Sequence, residues 1–443
     1  MMGRSACGLF SLILCLASLP VAVASEPAIP IDGARQVFAQ ARALCGRDGG
    51  KLWGASLCAP IMLVDPQSRQ IVAAQADAKG VLQARDGVYV GTLPADQNVA
   101  NTALEWSGTR WTQMLWPLPE NGGERATLIA HELFHQLQPR LSIAKMSGGE
   151  NPHLDTLEGR YTLQLEWRAL ALALESEDAA ARNAAVRDAI AFRAQRYRLF
   201  PAAERDETAL EFNEGLAEYT GVMVGNASAD ARRQGALRDL SLHVDNVSFV
   251  RSFAYATGPA YGLLLDQAAP GWRQRLGEGK NLAWMLRDAA RIEIPVDDAS
   301  LATAAARYQG AALRASETRR EEQRQAQLKR NRQRFVDGPV LTLKFEHMKV
   351  QFNPSNLQPL DDLGTVYPNL RIVDDWGTLE VEGGALMKSD WSAVIVAVPA
   401  TSTGSHLKGE GWVLELRPGW RLGPGARKGD LILDKPAQQP ASK

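Results

Sequence analysis

The chain is poor in the features that assign a protein quickly. Among 443 residues there are only four cysteines and six histidines, and 50 acidic side chains nearly cancel 49 basic ones. That near-neutrality leaves no electrostatic footprint for nucleic acid or an anionic membrane as a partner. Long apolar runs are also missing: beyond the first two dozen residues no segment is apolar for long enough to cross a bilayer.

The run from Leu9 to Leu19 is itself too short to span a membrane, and it follows a basic Arg4. Ala22-Val23-Ala24 then supplies the small-x-small pattern of a signal-peptidase site, so residues 1–24 read as a secretory signal cleaved after Ala24. A lipoprotein or a retained anchor is the alternative, but Leu14 stands before Cys15 where a small residue is wanted. Cleavage removes only Arg4 among the charges and leaves 48 basic against 50 acidic residues. The Ala- and Arg-rich composition has a bacterial flavour. The expected destination is the periplasm or the medium, with no stable membrane insertion once the signal is gone. A mature chain of roughly 420 residues suggests two or three domains.

Cys7 and Cys15 leave with the signal, so Cys45 and Cys58 remain to meet an oxidising compartment. A disulfide closing the loop Gly46 to Leu57 is expected. The rival reading, metal ligation, fails to complete a tetrahedral site with two cysteines.

Hydrophobic periodicity and breakers predict an α+β chain. Residues 33–47 read as a helix, and Ile61 to Val64 and Ile71 to Ala73 as strands joined at Asp65-Pro66-Gln67-Ser68. Val88 to Val90 and Trp111 to Trp116 add strands, and a helix runs from about Glu124 to Gln138, where Pro139 ends it. From Leu154 to about Gly225 the pattern is helical, interrupted at Pro201, with further helices over about 228–242, 258–267, 281–290 and 298–335. Arg314 to Phe335 is dense in Arg, Gln and Glu. Because Glu317, Glu321 and Glu322 dilute its charge, it reads as a solvated or bridging helix rather than a nucleic-acid arm. After Gly338-Pro339 the composition turns to short strands: Leu341 to Phe345, Leu379 to Val381, Ala393 to Val396, Trp412 to Leu416 and Leu431 to Leu433. The division expected is 25–120 as an N-terminal α/β part of a catalytic domain, 121–335 as its helical region and 340–435 as an all-β domain, a sandwich or half-open barrel. His347 and His406 stand alone there, and Trp376, Trp391, Trp412 and Trp420 read as core or turn anchors rather than a ligand platform.

The chemistry concentrates at His131-Glu132-Leu133-Phe134-His135, inside a predicted helix. Histidines four apart share a helical face, so both imidazoles can reach one metal ion. Glu132 lies beside that face, where a carboxylate can take a proton from an activated water. Catalytic zinc usually takes a third protein ligand. A metzincin continuation needs Gly at 138 and His at 141, where the chain has Gln138 and Leu141. The better source is Asn213-Glu214-Gly215-Leu216-Ala217-Glu218-Tyr219, where Glu211, Glu214 and Glu218 fall at i, i+3 and i+7 and line one helical stripe. Carboxylates so placed can ligate the metal and hydrogen-bond a ligating histidine.

HELFH followed by NEGLAEY resembles the gluzincins, the thermolysin- and aminopeptidase-like metallopeptidases. The resemblance covers about residues 100–270 and implies a zincin-like fold, bound Zn2+ and a peptide or protein substrate. In that group the glutamate of N-E-G-x-A is the third ligand, which corresponds to Glu214; Glu218 is then the acidic partner of a ligand one turn on, and Glu211 a further supporting carboxylate. The family's glutamate follows its second histidine far more closely than the 79 residues that separate Glu214 from His135, so an inserted helical segment is implied. Glu211, Glu166 and His153 stay open as rival third ligands. Tyr255-Ala256-Thr257-Gly258 is similar to the Y-x-x-G stretch whose phenol stabilises an oxyanion; a core or rim tyrosine is the other reading, and Tyr261 is its neighbour in line. The strand Trp111 to Trp116 corresponds to one that pairs with substrate in this group, or is an ordinary buried strand. The amine-capturing G-x-M-E-N stretch is absent upstream of His131, which points to an endopeptidase or a specialised hydrolase. The expectation is an exported zinc metallopeptidase. Its alternatives are an exported zinc-containing binding or assembly protein, and a zinc amidase acting on cell-wall peptides. Oligomeric state is not legible in the sequence.

Overall fold

A computed structural model describes residues 28–94, 96–294, 297–352 and 357–435; the signal sequence read in residues 1–24, with Cys7 and Cys15, lies outside the described residues. The chain divides into two compact units, Met1–Arg42 with Ala59–Leu118, and Ala43–Cys58 with Pro119–Lys443. Helix α1 (Ile31–Asp48) contributes residues to both. Helices and sheets are both extensive: the architecture is mixed α+β, with eleven α-helices and three sheets among the described residues and a strand-rich C-terminal region.

The first unit holds a six-stranded sheet of β1 (Ile61–Val64), β2 (Gln70–Ala73), β3 (Gln83–Arg85), β4 (Val88–Thr92), β5 (Thr102–Trp106) and β6 (Thr109–Leu115), in the order β3-β4-β2-β1-β6-β5. The β1–β2 turn forms because Asp65 accepts hydrogen bonds from both the backbone N and the hydroxyl of Ser68, each at 2.6 Å. Met62, Val64, Ile71, Ala73 and Trp111 bury one shared face. Strands β3 and β5 give no apolar alternation to read, since all three β3 residues are exposed and no β5 residue is buried. Of the two readings of Trp111 to Trp116, the ordinary buried strand is the one observed: β6 pairs with β1 on one side and β5 on the other. β5 covers Thr109 to Gln113 on one side and β1 covers Thr112 to Leu115 on the other, so β6 lies inside the sheet and β5 forms its edge.

The helical part of the second unit comprises α2 (Gly122–Leu137), α3 (Leu157–Glu175), α4 (Ala179–Leu199), α5 (Ala203–Leu210), α6 (Leu216–Gly225), α7 (Ala229–Leu242), α8 (Ser252–Ala268), α9 (Leu282–Ala290), α10 (Asp298–Arg307) and α11 (Gly310–Arg332). Asn121 caps α2 by accepting from the backbone N of Gly123 and Glu124 at 2.9 and 3.1 Å. The single helix expected over 298–335 is broken at Gln309, which adopts φ 56°. Helix α11 is largely exposed, yet Glu317 is buried against Arg160 and Gln164 of α3 at 2.6 and 2.7 Å. Helix α8 begins six residues earlier than the pattern suggested, because Pro259 sits inside it and proline reads as a breaker. Tyr255 is therefore a helical residue.

Cys45 and Cys58 form the expected disulfide, with Cα atoms 5.2 Å apart. No helix among the described residues is long and apolar enough to cross a membrane.

The C-terminal region is a two-sheet sandwich built from β7 (Val340–Lys344), β8 (Lys349–Phe352), β9 (Gln358–Pro359), β10 (Gly364–Tyr367), β11 (Leu370–Asp374), β12 (Gly377–Val381), β13 (Ala385–Lys388), β14 (Ala393–Ala397), β15 (Thr401–Thr403), β16 (His406–Gly409), β17 (Trp412–Leu416), β18 (Arg421–Pro424) and β19 (Leu431–Asp434). One sheet runs β18-β19-β7-β14-β13-β10-β9 and the other β15-β16-β17-β12-β11-β8. Inward residues of both sheets, among them Leu343, Val394, Ile372 and Leu414, share one core. Trp376 and Trp412 anchor it, each donating its indole N–H to a main-chain carbonyl, of Lys344 and Ala397 respectively.

Candidate metal centre

Two glycine contacts bring the helices of the site together. A Cβ on Gly221 of α6 would lie 2.7 Å from the carbonyl oxygen of Thr127 on α2, so only glycine permits that approach. A Cβ on Gly258 of α8 would lie 2.2 Å from the carbonyl oxygen of Gly215. Helix α2 thus presents His131 and His135 to Glu214 and Glu218, while α8 presents Tyr255 to the same point.

The Nε2 atoms of His131 and His135 stand 3.1 Å apart, and Oε2 of Glu214 is 3.5 Å from the first and 3.6 Å from the second. A tetrahedral ion with ligands at about 2.0–2.1 Å separates its ligand atoms by about 3.3–3.4 Å. The three donors bracket that spacing, and together they could hold a metal ion. The tautomers agree. His131 Nδ1 is 2.7 Å from Glu218 Oε2, and His135 Nδ1 is 3.3 Å from Gln138 Oε1. A proton on each Nδ1 leaves both Nε2 lone pairs aimed at one spot. Gln138 is oriented for this because its Nε2 donates to the Phe212 carbonyl at 2.8 Å.

The electrostatics favour positive charge there. Burial pushes the His131 pKa down, but hydrogen bonds to Glu214 and Glu218 overcome it and raise the pKa to about 10. Glu214 is held far below the ordinary glutamate range: burial opposes its ionisation, and His131, His135 and Tyr255 outweigh it. Glu132 goes the other way, with burial lifting its carboxyl above the usual value against the pull of the two histidines. Its Oε2 is buried with no hydrogen-bond partner. A buried carboxylate oxygen left open beside three donors is a poised acceptor.

Tyr255 stacks on His131, with ring centroids 5.5 Å apart and planes 4° from parallel, and donates its hydroxyl to Glu214 Oε2 at 2.6 Å. Burial first, and the charge of Glu214 second, raise its pKa well above that of a free phenol, so it is a donor at neutral pH. Asn213 and Arg251 donate to the other carboxylate oxygen at 3.1 and 3.2 Å. Beside them a groove of about 510 Å³ is lined in part by Gln138, Lys145, Asp206, Phe212, Asn213 and Arg251.

Glu211 is placed elsewhere. Residues Glu211–Gly215 form one π-helical turn, in which the Leu216 N–H bonds to the Glu211 carbonyl five residues back. The wider turn rotates Glu211 off the Glu214–Glu218 face. Its carboxylate instead pairs with Arg193 at 2.6 and 2.8 Å and accepts from Thr257 at 2.5 Å. The rivals Glu166 and His153 belong to the same buried network. Glu166 accepts from Arg193, Arg196 and Tyr261, and His153 Nε2 lies 2.7 Å from Glu207, which also pairs with Arg196. Tyr261 is therefore held by Glu166, away from the triad.

Asn213, part of the N-E-G-x-A stretch, donates to its neighbour Glu214. Gln138 and Arg251 were not legible as site residues, since each is a common surface type that depends on a contact far along the chain, to Phe212 and to Glu214. His243, with its ring 6.2 Å from Tyr255, and Asp239, buried with an unpartnered Oδ2 and raised in pKa by burial and by Glu218, are two more. No protein-family model, curated protein or solved structure matches the chain. The site itself therefore carries the functional argument: two histidines and one glutamate able to hold a metal ion, with a buried glutamate beside them.

Proposed function

We propose that this chain is an exported zinc-dependent metallopeptidase of gluzincin type, with His131, His135 and Glu214 as metal ligands in a zincin-like catalytic domain. The observation that carries the reading is the convergence of two Nε2 atoms and one carboxylate oxygen at 3.1 to 3.6 Å, beside the unpartnered Oε2 of Glu132. Two imidazoles and a carboxylate form a donor set suited to zinc, whose bound form polarises a carbonyl and acidifies water.

The chain's own residues supply the rest. Glu132, with its pKa lifted by burial, takes a proton from the attacking water at Oε2 and returns it to the leaving nitrogen. Glu218 fixes the tautomer of His131, and Gln138 that of His135. Tyr255 is protonated and held by Glu214, and from there its hydroxyl can turn to developing negative charge on the scissile carbonyl. The intact Glu132 favours hydrolysis over a purely structural metal site, which needs no base.

Metal analysis of the purified protein and a peptide-library digest test the proposal. Zinc should be present at one per chain, and Glu132→Gln should keep it while lowering kcat by at least about 100-fold. Full activity in the metal-loaded variant would sink the assignment. Zinc without cleavage of any peptide would favour a binding protein, and cleavage confined to muropeptides an amidase.

A further inference from the structure

The groove beside Glu214 has an unequal charge. Its lining includes two cations, Arg251 and Lys145, and one acid, Asp206. Asp206 is already satisfied: it pairs with Arg205 at 2.7 Å, accepts from the backbone N of Gly149 at 2.8 Å, and has its pKa lowered first by Arg205. Arg251 is different. Its side chain is 68% exposed, and one terminal nitrogen reaches Glu214 Oε1 at 3.2 Å. A guanidinium carries five N–H donors in a planar fork suited to a carboxylate, and the one contact leaves most of them for the groove. Glu214 cannot neutralise it fully, because its Oε2 faces the two histidines and Tyr255. Lys145 adds a second positive charge from the wall that lacks regular structure.

We infer that Arg251, supported by Lys145, forms a subsite for a carboxylate of the substrate, directly beside the metal-binding triad. This deepens the peptidase reading and rests on it for the identity of the ligand as a peptide. The carboxylate is either the C-terminal one or an acidic side chain; both present the same planar anion to the guanidinium. Arg251 acts here as a specificity-determining residue and takes no part in proton transfer. A substrate anchored through it lies with its anionic group next to Glu214, so a neighbouring peptide bond falls at the triad.

The test is binding, measured by calorimetry on the full chain carrying Glu132→Gln so that no turnover intervenes. The probes are N-acetyl-tetraalanine as free acid, the same peptide as C-terminal amide, and an amidated peptide with one internal glutamate. At least one carboxylate-bearing probe should bind about tenfold or more tighter than the neutral amide. The preference should shrink to under about threefold in Arg251→Met, partly return in Arg251→Lys, and weaken with added salt. Preference for the free acid identifies the C-terminal carboxylate, and preference for the glutamate peptide identifies an acidic side chain. Equal affinity for all three probes in the parent, or no binding of any, overturns the inference. So does a preference left intact by both Arg251→Met and Lys145→Met. The peptidase reading fails separately: a zinc-loaded protein with Glu132 intact would show the carboxylate preference and yet cleave nothing.

Discussion

Two imidazole nitrogens and a carboxylate oxygen within 3.6 Å of one another need positive charge between them, which a proton on His131 supplies in the metal-free protein and a bound metal ion would replace. What keeps them there is a set of hydrogen bonds around them, and the charged member on a histidine is Glu218, at 2.7 Å from His131. Glu218→Gln should lower metal affinity by roughly 10–100-fold, measured by competition with a chromophoric chelator. An unchanged affinity would show that packing alone orients the ring. Tyr255→Phe removes a 2.6 Å hydrogen bond to the candidate ligand Glu214. It should weaken metal binding less than Glu218→Gln, and a larger loss in kcat than in affinity would mark the hydroxyl as acting on the substrate. At this scale the sequence was most informative where chemistry is local. His131, Glu132 and His135 sit on one helical turn, and periodicity alone places them. Gln138 is oriented through Phe212 and Arg251 acquires its role through Glu214, contacts far along the chain that no spacing encodes.

The helices meet through missing side chains. Gly258 allows α8 to cross at Gly215, where a methyl group would fall 2.2 Å from a carbonyl oxygen. Gly258→Ala should therefore cost about 1–3 kcal/mol or more, read as a lower midpoint in denaturant, and should loosen metal binding by moving Tyr255 from Glu214. A fully stable, tightly binding variant would refute the crossing. The π turn at Glu211–Gly215 explains the main misreading at this scale. An ideal helix puts Glu211, Glu214 and Glu218 on one stripe; one wide turn keeps the last two together and sends the first to Arg193. Such turns carry no sequence signature. Strands β3 and β5 escaped notice for a plainer reason: without buried apolar side chains they lack the alternation by which a strand is read. The sandwich strands that were legible, β7, β12, β14, β17 and β19, carry residues of the shared core or packed against it.

Across the whole molecule, two features hold the helical scaffold around the site. The disulfide closes a loop with sequence separation 13, and within it Trp53 packs on Phe134 and Tyr219 and donates to Thr220 at 3.0 Å. Reducing it, or replacing both cysteines by serine, should cost about 3 kcal/mol, seen as a lower melting temperature in dithiothreitol. The second feature is the buried network of Glu166, Arg193, Arg196, Glu207 and Glu211, which ties α3, α4 and α5 to the π turn. Burial works against ionisation of Glu207, yet Arg196 above all, with His153 and Arg193, holds its carboxyl down to about 2. A depressed pKa contributes stability that is complete above the ordinary value near 4.5 and is lost as pH falls toward 2. Acid titration of stability should show that loss in the parent, and Glu207→Gln should flatten it. Glu207→Ala should cost roughly 3–5 kcal/mol at neutral pH, because it removes the carboxylate that accepts from both Nε and Nη2 of Arg196 and leaves only Glu166 to pair that buried guanidinium. The same arithmetic reaches beyond one molecule. Losing one member leaves a buried charge without its counterpart, whereas replacing partners together by apolar groups of similar volume is far less costly. Over evolutionary time these five positions should then change as a set. A descendant that has given up Arg193 should be found to have given up Glu211 as well, and the helices around the triad would record that shared history as correlated substitution.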